Sequence, residues 1–397
     1  MKICVINNIY PPYHRGGAEQ VVVTMVEGLL AQGHEVVIIT GTPGQEATER
    51  HERLTIYRLR PHNLFFYTHA EGHTIFERAL WHVIDMFHLS VANKVQEILE
   101  AEHVDLVHTH NLMGLSFLIP RVIRKLRIHH VHTVHDVQLV EPSAMILKEK
   151  EQSWRYTGLP TKLYTGTMKR LMGSPHVVIS PSQFLLDFYR SRGFFEHSHQ
   201  VVLRNPVTFS FQETRQVVDE PHDSFRFLYI GQIERHKGLF LLLSAFQKLH
   251  IQFPHAELHI VGSGSVLEEI RASVVPENGV YIYGRLKREE LPALFAKMDM
   301  AVVPSLCYEN SPTVIFESLS CGRPVLASDI EGVAELIREG ENGITFETGN
   351  VEKLVEKMQW CLTHKETVQK MSGETRQSLV GLSRDEYVQR LEKLYQR

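Results

Sequence analysis

The stretch Glu309-Asn-Ser-Pro-Thr-Val-Ile-Phe-Glu-Ser-Leu-Ser-Cys-Gly-Arg-Pro-Val-Leu-Ala-Ser-Asp-Ile-Glu-Gly332 decides how this chain of 397 residues is read. It follows a short apolar run, Met300 to Leu306, with the composition of a buried strand. Ser311 is suited to cap a helix and Pro312 to fill its first position, where a missing N–H costs nothing. Thr313 and Glu317, four apart, then share one helical face, while Ile315 and Leu319 share another that suits a core. The helix start at Pro312, Thr313 and Val314 offers unsatisfied backbone and the positive end of a dipole, an anion cradle. Glu309 lies in the loop at its lip and Glu317 deeper in the helix. A ligand with a negative middle and hydroxyl-bearing ends fits such a place.

Composition keeps the options narrow. The length exceeds what one core usually supports, so two domains are expected. With 43% hydrophobic and 22% charged residues the chain has an ordinary globular composition. Cys4, Cys307, Cys321 and Cys361 form no CxxC pair, which argues for reduced thiols and a cytoplasmic setting. The N-terminus turns polar too early for a signal peptide, and no run approaches the ~20 apolar residues of a membrane span. Net charge is −4, which excludes a strongly basic nucleic-acid binder. Residues 1 to 205 nevertheless carry 21 Lys and Arg against 19 Asp and Glu, the remainder 21 against 27. Either surface composition drifts, or the first half faces something anionic such as a membrane surface.

Outward from the opening stretch, apolar strands alternate with helical periodicity. Residues 2 to 7 read as a strand, Tyr10 to Ala18 as a Pro- and Gly-rich loop, Ala18 to Ala31 as a helix and Val36 to Thr40 as a strand, a βαβ unit that recurs. Further helices are expected at 76–100, 114–127 and 182–191, with strands at 105–110, 129–134 and 176–180. Asn205 to Ser224 is polar, contains Pro206 and Pro221, and reads as a linker. The alternation resumes with a strand at 225–230, a helix at 239–252 and strands at 258–261, 280–283, 300–304, 324–327 and 344–346. The expectation is α/β: two doubly wound Rossmann-like domains, residues 1–208 and 209–397, with the final helices packing back on the first. Ligands of such sheets bind beyond the carboxyl ends of the strands.

Several post-strand loops carry chemistry. Gly16-Gly17 before a helix is either a flexible turn or a place where backbone N–H groups approach a phosphate or sugar. His108, His110, His132 and His135 end two strands; no third element supplies matching ligands for zinc, and hydrogen-bonding roles suit them better. In Gly231-Gln-Ile-Glu-Arg-His-Lys-Gly238, Lys237 and Arg235 beside a helix start suit a pyrophosphate. Gly262-Ser-Gly264 lacks the third glycine of a dinucleotide fingerprint and instead opens a wall beside the ligand. The helix at 115–127 has an apolar side and a basic one with Arg121, Arg124 and Lys125: a solvated face, or one that meets anionic lipid. Walker A, HExxH and GxSxG sequences are absent.

The two glutamates with seven residues between them, Cys321-Gly-Arg-Pro-Val325, Glu331-Gly332, the Gly16-Gly-Ala-Glu19 loop, Thr133-Val-His-Asp136 and Lys237 together resemble retaining glycosyltransferase family 4. The resemblance spans nearly the whole chain and implies the GT-B fold, two Rossmann-like domains facing across a cleft. It implies a metal-independent transferase without cofactor, using a UDP- or GDP-linked sugar as donor and a carbohydrate or lipid-linked acceptor, in bacterial polysaccharide, glycolipid or cell-envelope synthesis. By the same resemblance Glu309, His135 and Lys237 are catalytic. Gly16, Gly17, Arg235, Lys237, Gly262, Gly264, Arg285, Leu286, Ser311, Pro312, Thr313, Val314 and Glu317 hold the donor, Arg285 and Leu286 near the base and Glu317 at the ribose. No metal site is expected. Gln232 stands where relatives carry an arginine, and Arg235 is the candidate to supply that charge. A peripheral position at the inner membrane face is expected through the first domain. The alternatives on the same architecture are a nucleotide-sugar epimerase and a non-catalytic nucleotide-sugar-binding protein.

Overall fold

The computed structural model describes residues 1–13, 16–69, 72–209, 223–275 and 278–397. The chain forms two compact units. Met1–Met145, Gln152–Pro206 and Arg384–Arg397 make the first, Ile146–Glu151 and Val207–Ser383 the second. The division expected at 208/209 therefore gains a short exchange: residues 146–151 join the second unit although both flanking segments belong to the first. Most of the expected linker, residues 210–222, lies outside the described residues.

In the first unit β1 (Lys2–Ile6), β2 (Glu35–Gly41), β3 (Ala47–Arg50), β4 (Leu54–Leu59), β5 (Leu106–Thr109), β6 (His129–Thr133), β7 (Val177–Ser180) and β8 (His199–Val202) form one sheet. Its order is β3-β4-β2-β1-β5-β6-β7-β8, parallel except for β3, which runs antiparallel to β4 at the edge. Central strands read as unbroken apolar runs because both faces are covered: Ile3, Cys4, Val5 and Ile6 have no exposed surface. One face packs on helix Gly17–Ala31 through Val22, Met25, Val26 and Leu29, and the same core takes in Tyr387, Val388, Leu391 and Tyr395 of helix Arg384–Tyr395. Gly28 lets those two helices approach, since an added Cβ would lie 2.5 Å from a Val388 methyl.

The helix expected at 76–100 is two, Ile75–Met86 and Leu89–Glu102. The break falls at Phe87-His88, where the His88 ring accepts the Val91 N–H and caps the second helix. The helix expected at 114–127 shortens to Ile119–Leu126.

In the second unit β9 (Phe225–Ile230), β10 (Ala256–Val261), β11 (Val280–Gly284), β12 (Met300–Val303), β13 (Val325–Asp329) and β14 (Gly343–Glu347) are all parallel, in the order β11-β10-β9-β12-β13-β14. Helices Leu239–Gln252 and Val351–Thr363 cover one face, and Leu291–Ala296 and Thr313–Ser320 the other. Strand order reverses between β9 and β12, so the loops after these two neighbours diverge and leave the crevice where α/β sheets bind ligands.

Candidate functional site

The β9–β12 switch point brings Lys237 to Glu309. The loop after β9 closes in a 3₁₀ turn, Arg235–Lys237, and ends at Gly238, whose φ of +77° is left-handed. A Cβ at Gly238 would lie 1.8 Å from the Pro304 carbonyl oxygen, so glycine is what lets this turn lie on the end of β12. The Leu306 N–H donates to the His236 carbonyl at 2.9 Å and locks the two loops together. Lys237 Nζ then donates to Glu309 Oε1 at 2.5 Å, and Ser305 Oγ donates to the same oxygen at 2.9 Å. Burial pulls the lysine pKa down, but the Glu309 carboxylate more than offsets it and the net value is raised, so the ammonium stays charged. The same surroundings push the neighbouring Cys307 thiol up to about 12, through burial first and Glu309 second, and keep it inert.

Helix Thr313–Ser320 begins one residue later than expected. Pro312 occupies the N-cap with φ −61° and ψ 123°, and no side chain caps the first turn. Ser311 therefore precedes the cap, and Pro312, having no N–H, leaves the first-turn donors to Thr313 and Val314; the Ile315 N–H turns back to the Pro312 carbonyl at 3.1 Å. Glu317 is buried inside this helix. Its Oε1 accepts from Thr208 Oγ1 and from Arg288 Nη1, both at 2.9 Å, and the Arg288 guanidinium lies 4.5 Å from the centre of the Phe209 ring. Glu309 and Glu317 thus stand in separate networks, one tied to a lysine and one to an arginine.

Other expected residues separate. Arg235 Nη2 donates to Glu269 at 2.6 Å and its guanidinium covers the Phe240 ring, contacts separate from the Lys237–Glu309 pair. Gly262 and Gly264 lie tightly against the loop after β9. A Cβ on either would fall within 1.9 to 2.2 Å of the Gly231 or Ile233 carbonyl oxygens, so their task is to let the loop after β10 pack on the loop after β9. Arg285 is exposed after β11, and Leu286 is half-buried against the core.

Sequence reasoning missed Ser305, Thr208 and Arg288, single polar residues in loops with no motif of their own. It also missed the segment Ile146–Glu151. Lys148 N–H donates to the Leu306 carbonyl at 3.0 Å and Tyr308 N–H to the Ile146 carbonyl at 2.9 Å, an antiparallel bridge directly before Glu309. Lys148 Nζ is bound to Glu331, and Tyr308 OH donates to Glu151 at 2.6 Å.

In the first unit the loops after β1, β5 and β6 meet. Gly16 caps helix Gly17–Ala31, and its N–H donates to Glu19 at 2.8 Å, so the glutamate of Gly-Gly-Ala-Glu closes its own helix start. Asn8 N–H donates to the Asn111 carbonyl at 2.9 Å. His110 Nδ1 and His135 Nε2 share a hydrogen bond at 2.9 Å, and His108 lies between Tyr395 OH and Thr133 Oγ1, 2.8 Å from each. Burial lowers the pKa of all these imidazoles, to about 4 for His135 and, with repulsion from His135 added, to about 3 for His132. They are neutral at physiological pH, each with one donor and one acceptor. A small cavity at these strand ends is lined by His110, His135, Asp136 and Gln138 among others. Among the described residues no three His, Cys, Asp or Glu side chains converge to hold a metal ion.

Two family models divide the chain between them: Glycosyltransferase Family 4 matches residues 15–211 and Glycosyl transferases group 1 matches 210–378. The chain belongs to glycosyltransferase family 4. A relative of this glycosyltransferase, an uncharacterized 42.6 kDa protein in the cps region of Klebsiella pneumoniae, is 24% identical over 85% of this chain and 88% of its own. The alpha-monoglucosyldiacylglycerol synthase of Acholeplasma laidlawii is 23% identical over 100% of this chain and 96% of its own. Among solved structures, Anabaena Alr3699/HepE in complex with UDP superposes with a TM-score of 0.72 at 17% identity, over 99% of both chains. The two Rossmann-like sheets and these neighbours make the fold GT-B. No helix among the described residues is long and apolar enough to cross a membrane.

Proposed function

We propose that this glycosyltransferase is a retaining, metal-independent enzyme. In this reading it moves a sugar from a UDP- or GDP-linked donor to a carbohydrate or lipid-linked acceptor of the cell envelope. The observation that carries the reading is the Lys237–Glu309 pair at the switch point of the second unit, beside a helix start. Lys237 spends one of three ammonium donors on Glu309, and the other two are suited to diphosphate oxygens. With the N–H groups of Thr313 and Val314 they would stabilise the charge that grows on the leaving phosphate, the role a divalent cation plays elsewhere. Glu309 Oε2 would accept a hydroxyl of the transferring sugar, and Glu317 those of the ribose, its Oε1 already held by Arg288 and Thr208. His135, neutral, is the proposed hydrogen-bond partner of the sugar on the first unit. The departing phosphate would take the acceptor proton, so Glu309 needs no covalent role.

The UDP complex of the Anabaena neighbour supports a nucleotide-linked donor, and the glucosyldiacylglycerol in the name of the Acholeplasma relative supports a lipid-linked acceptor. With a lipid-linked acceptor, the first unit would work against the inner face of a membrane. The test is a screen of UDP- and GDP-sugars with purified protein in EDTA. Slow release of nucleotide without added metal, and a product whose anomeric configuration matches the donor, are expected. A strict Mg²⁺ requirement sinks the metal-free scheme, an inverted product the retaining one. An altered sugar without transfer would mark an epimerase, and tight binding without turnover a binding protein.

A further inference from the structure

Helix Ile75–Met86 presents its apolar side to solvent. At about 100° per residue, Phe76, Ala79, Leu80 and Val83, continued by Phe87, fall within one arc about 100° wide. Phe76 is 87% exposed, Leu80 52%, Val83 51% and Phe87 46%. The opposite side anchors the helix: Trp81 and Asp85 are buried, Trp81 Nε1 donates to the Phe65 carbonyl at 2.7 Å, and Asp85 accepts the Gly114 N–H at 2.8 Å. The helix is therefore docked, with an apolar stripe left over. A second set of exposed apolar side chains, Trp154, Leu159 and Leu163, lies on the adjoining helical stretch 154–172. Both stretches reach the loop after β5: Asp85 accepts the Gly114 N–H, and Tyr164 OH donates at 2.8 Å to the carbonyl of Gln138, whose amide donates to Asn111 Oδ1 at 2.9 Å.

Charge identifies the occupant. Residues 154–172 carry Arg155, Lys162, Lys169 and Arg170 and no acid. Helix Ile119–Leu126 packs against this stretch, with Arg124 donating to the Leu171 and Met172 carbonyls, and exposes Arg121 and Lys125 beside it. A protein partner would meet an apolar stripe with any charge around it. On the stripe helix exposed Glu77 and Arg78 offset each other, so the acid-free 154–172 stretch sets the sign of the charge beside the apolar side chains, and an exposed tryptophan among such cations is what an anionic bilayer surface recognises.

We infer that the Phe76–Phe87 stripe inserts into the headgroup region of an anionic phospholipid bilayer, with the basic 154–172 stretch lying on its surface. This deepens the membrane-facing reading of the first unit given above but does not depend on the transfer chemistry. Flotation of the full chain with vesicles tests it, using phosphatidylcholine alone and phosphatidylcholine with phosphatidylglycerol. Binding to the anionic vesicles is expected, weakened roughly tenfold or more by F76E/L80E and again by K162E/R170E. Circular dichroism and nucleotide release without lipid should match wild type in both variants. Wild type that floats with neither vesicle overturns the inference, as does F76E/L80E that floats like wild type. So does a wild-type dimer that becomes a monomer in F76E/L80E by light scattering, since the stripe then belongs to a second copy. Vesicle binding without nucleotide release would leave this surface standing and remove the transferase chemistry. Release without vesicle binding would do the reverse.

Discussion

At the scale of single residues, the two glutamates are separated by their partners. Glu309→Ala should nearly abolish transfer while nucleotide affinity, measured by calorimetry, stays close to wild type; unchanged turnover would remove Glu309 from the chemistry. Lys237→Ala should weaken nucleoside-diphosphate binding by ~1.5–3 kcal/mol, the range of a charge-assisted hydrogen bond. Wild-type affinity would end the diphosphate assignment. The buried histidines set a different expectation. His132 titrates near 3 in the fold against an ordinary 6.5. Above pH 6.5 both folded and unfolded states are neutral. Below it the unfolded chain takes up a proton that the fold refuses, so stability falls from pH 6.5 toward 3 by up to ~1.4 kcal/mol per unit. Melting temperature followed from pH 7.5 to 5 should drop less in His132→Asn, whose amide can replace Nδ1 at Thr109 without titrating; an identical drop would count against His132. The acids and Lys237 were legible because they sit in patterned loops. Ser305, Thr208 and Arg288 were not, because a hydrogen bond across separate loops leaves no trace in spacing.

At the scale of elements, the alternation of strands and helices announced both parallel sheets, since strands buried on two faces must be apolar throughout. What escaped was weakly patterned. β3, Ala-Thr-Glu-Arg, is largely exposed and pairs at an edge, where hydrophobicity carries no signal. The 76–100 helix broke because a histidine ring served as a cap, which composition does not foretell. Ser311 and Pro312 pointed to the right helix and missed its first residue by one. The glycines that matter here hold elements together. Gly332→Ala would place a Cβ 2.2 Å from the Asn310 carbonyl oxygen and 2.7 Å from that of Glu309. It should lower stability by ~1–3 kcal/mol and displace the Glu309 loop. Gly340→Ala, with φ +80° and open space around it, should cost about 1–2 kcal/mol from backbone strain and leave activity intact. Urea midpoints and turnover of the two variants check this; equal activity loss in both would mean that contact with the Glu309 loop is not what matters.

At the scale of the molecule, the sequence announced two domains and missed the small exchange at 146–151, because six residues cannot signal which core they join. Helix Arg384–Tyr395 is the larger exchange. Tyr387, Val388 and Leu391 fill the first unit's core, and Tyr395 OH is the partner of His108. Residues 1–206 expressed alone should therefore be unstable and regain cooperative melting when a peptide of residues 384–397 is added; a stable, cooperatively melting 1–206 would refute this. The feature bears on biosynthesis. A ribosome delivers the β1–β8 sheet early but delivers this helix only after the whole second unit has emerged. The first unit stays incomplete while the second matures. A product cut short anywhere before residue 384 would expose the groove on helix Gly17–Ala31, so the cell's proteases could recognise an unfinished chain at the end opposite the missing one.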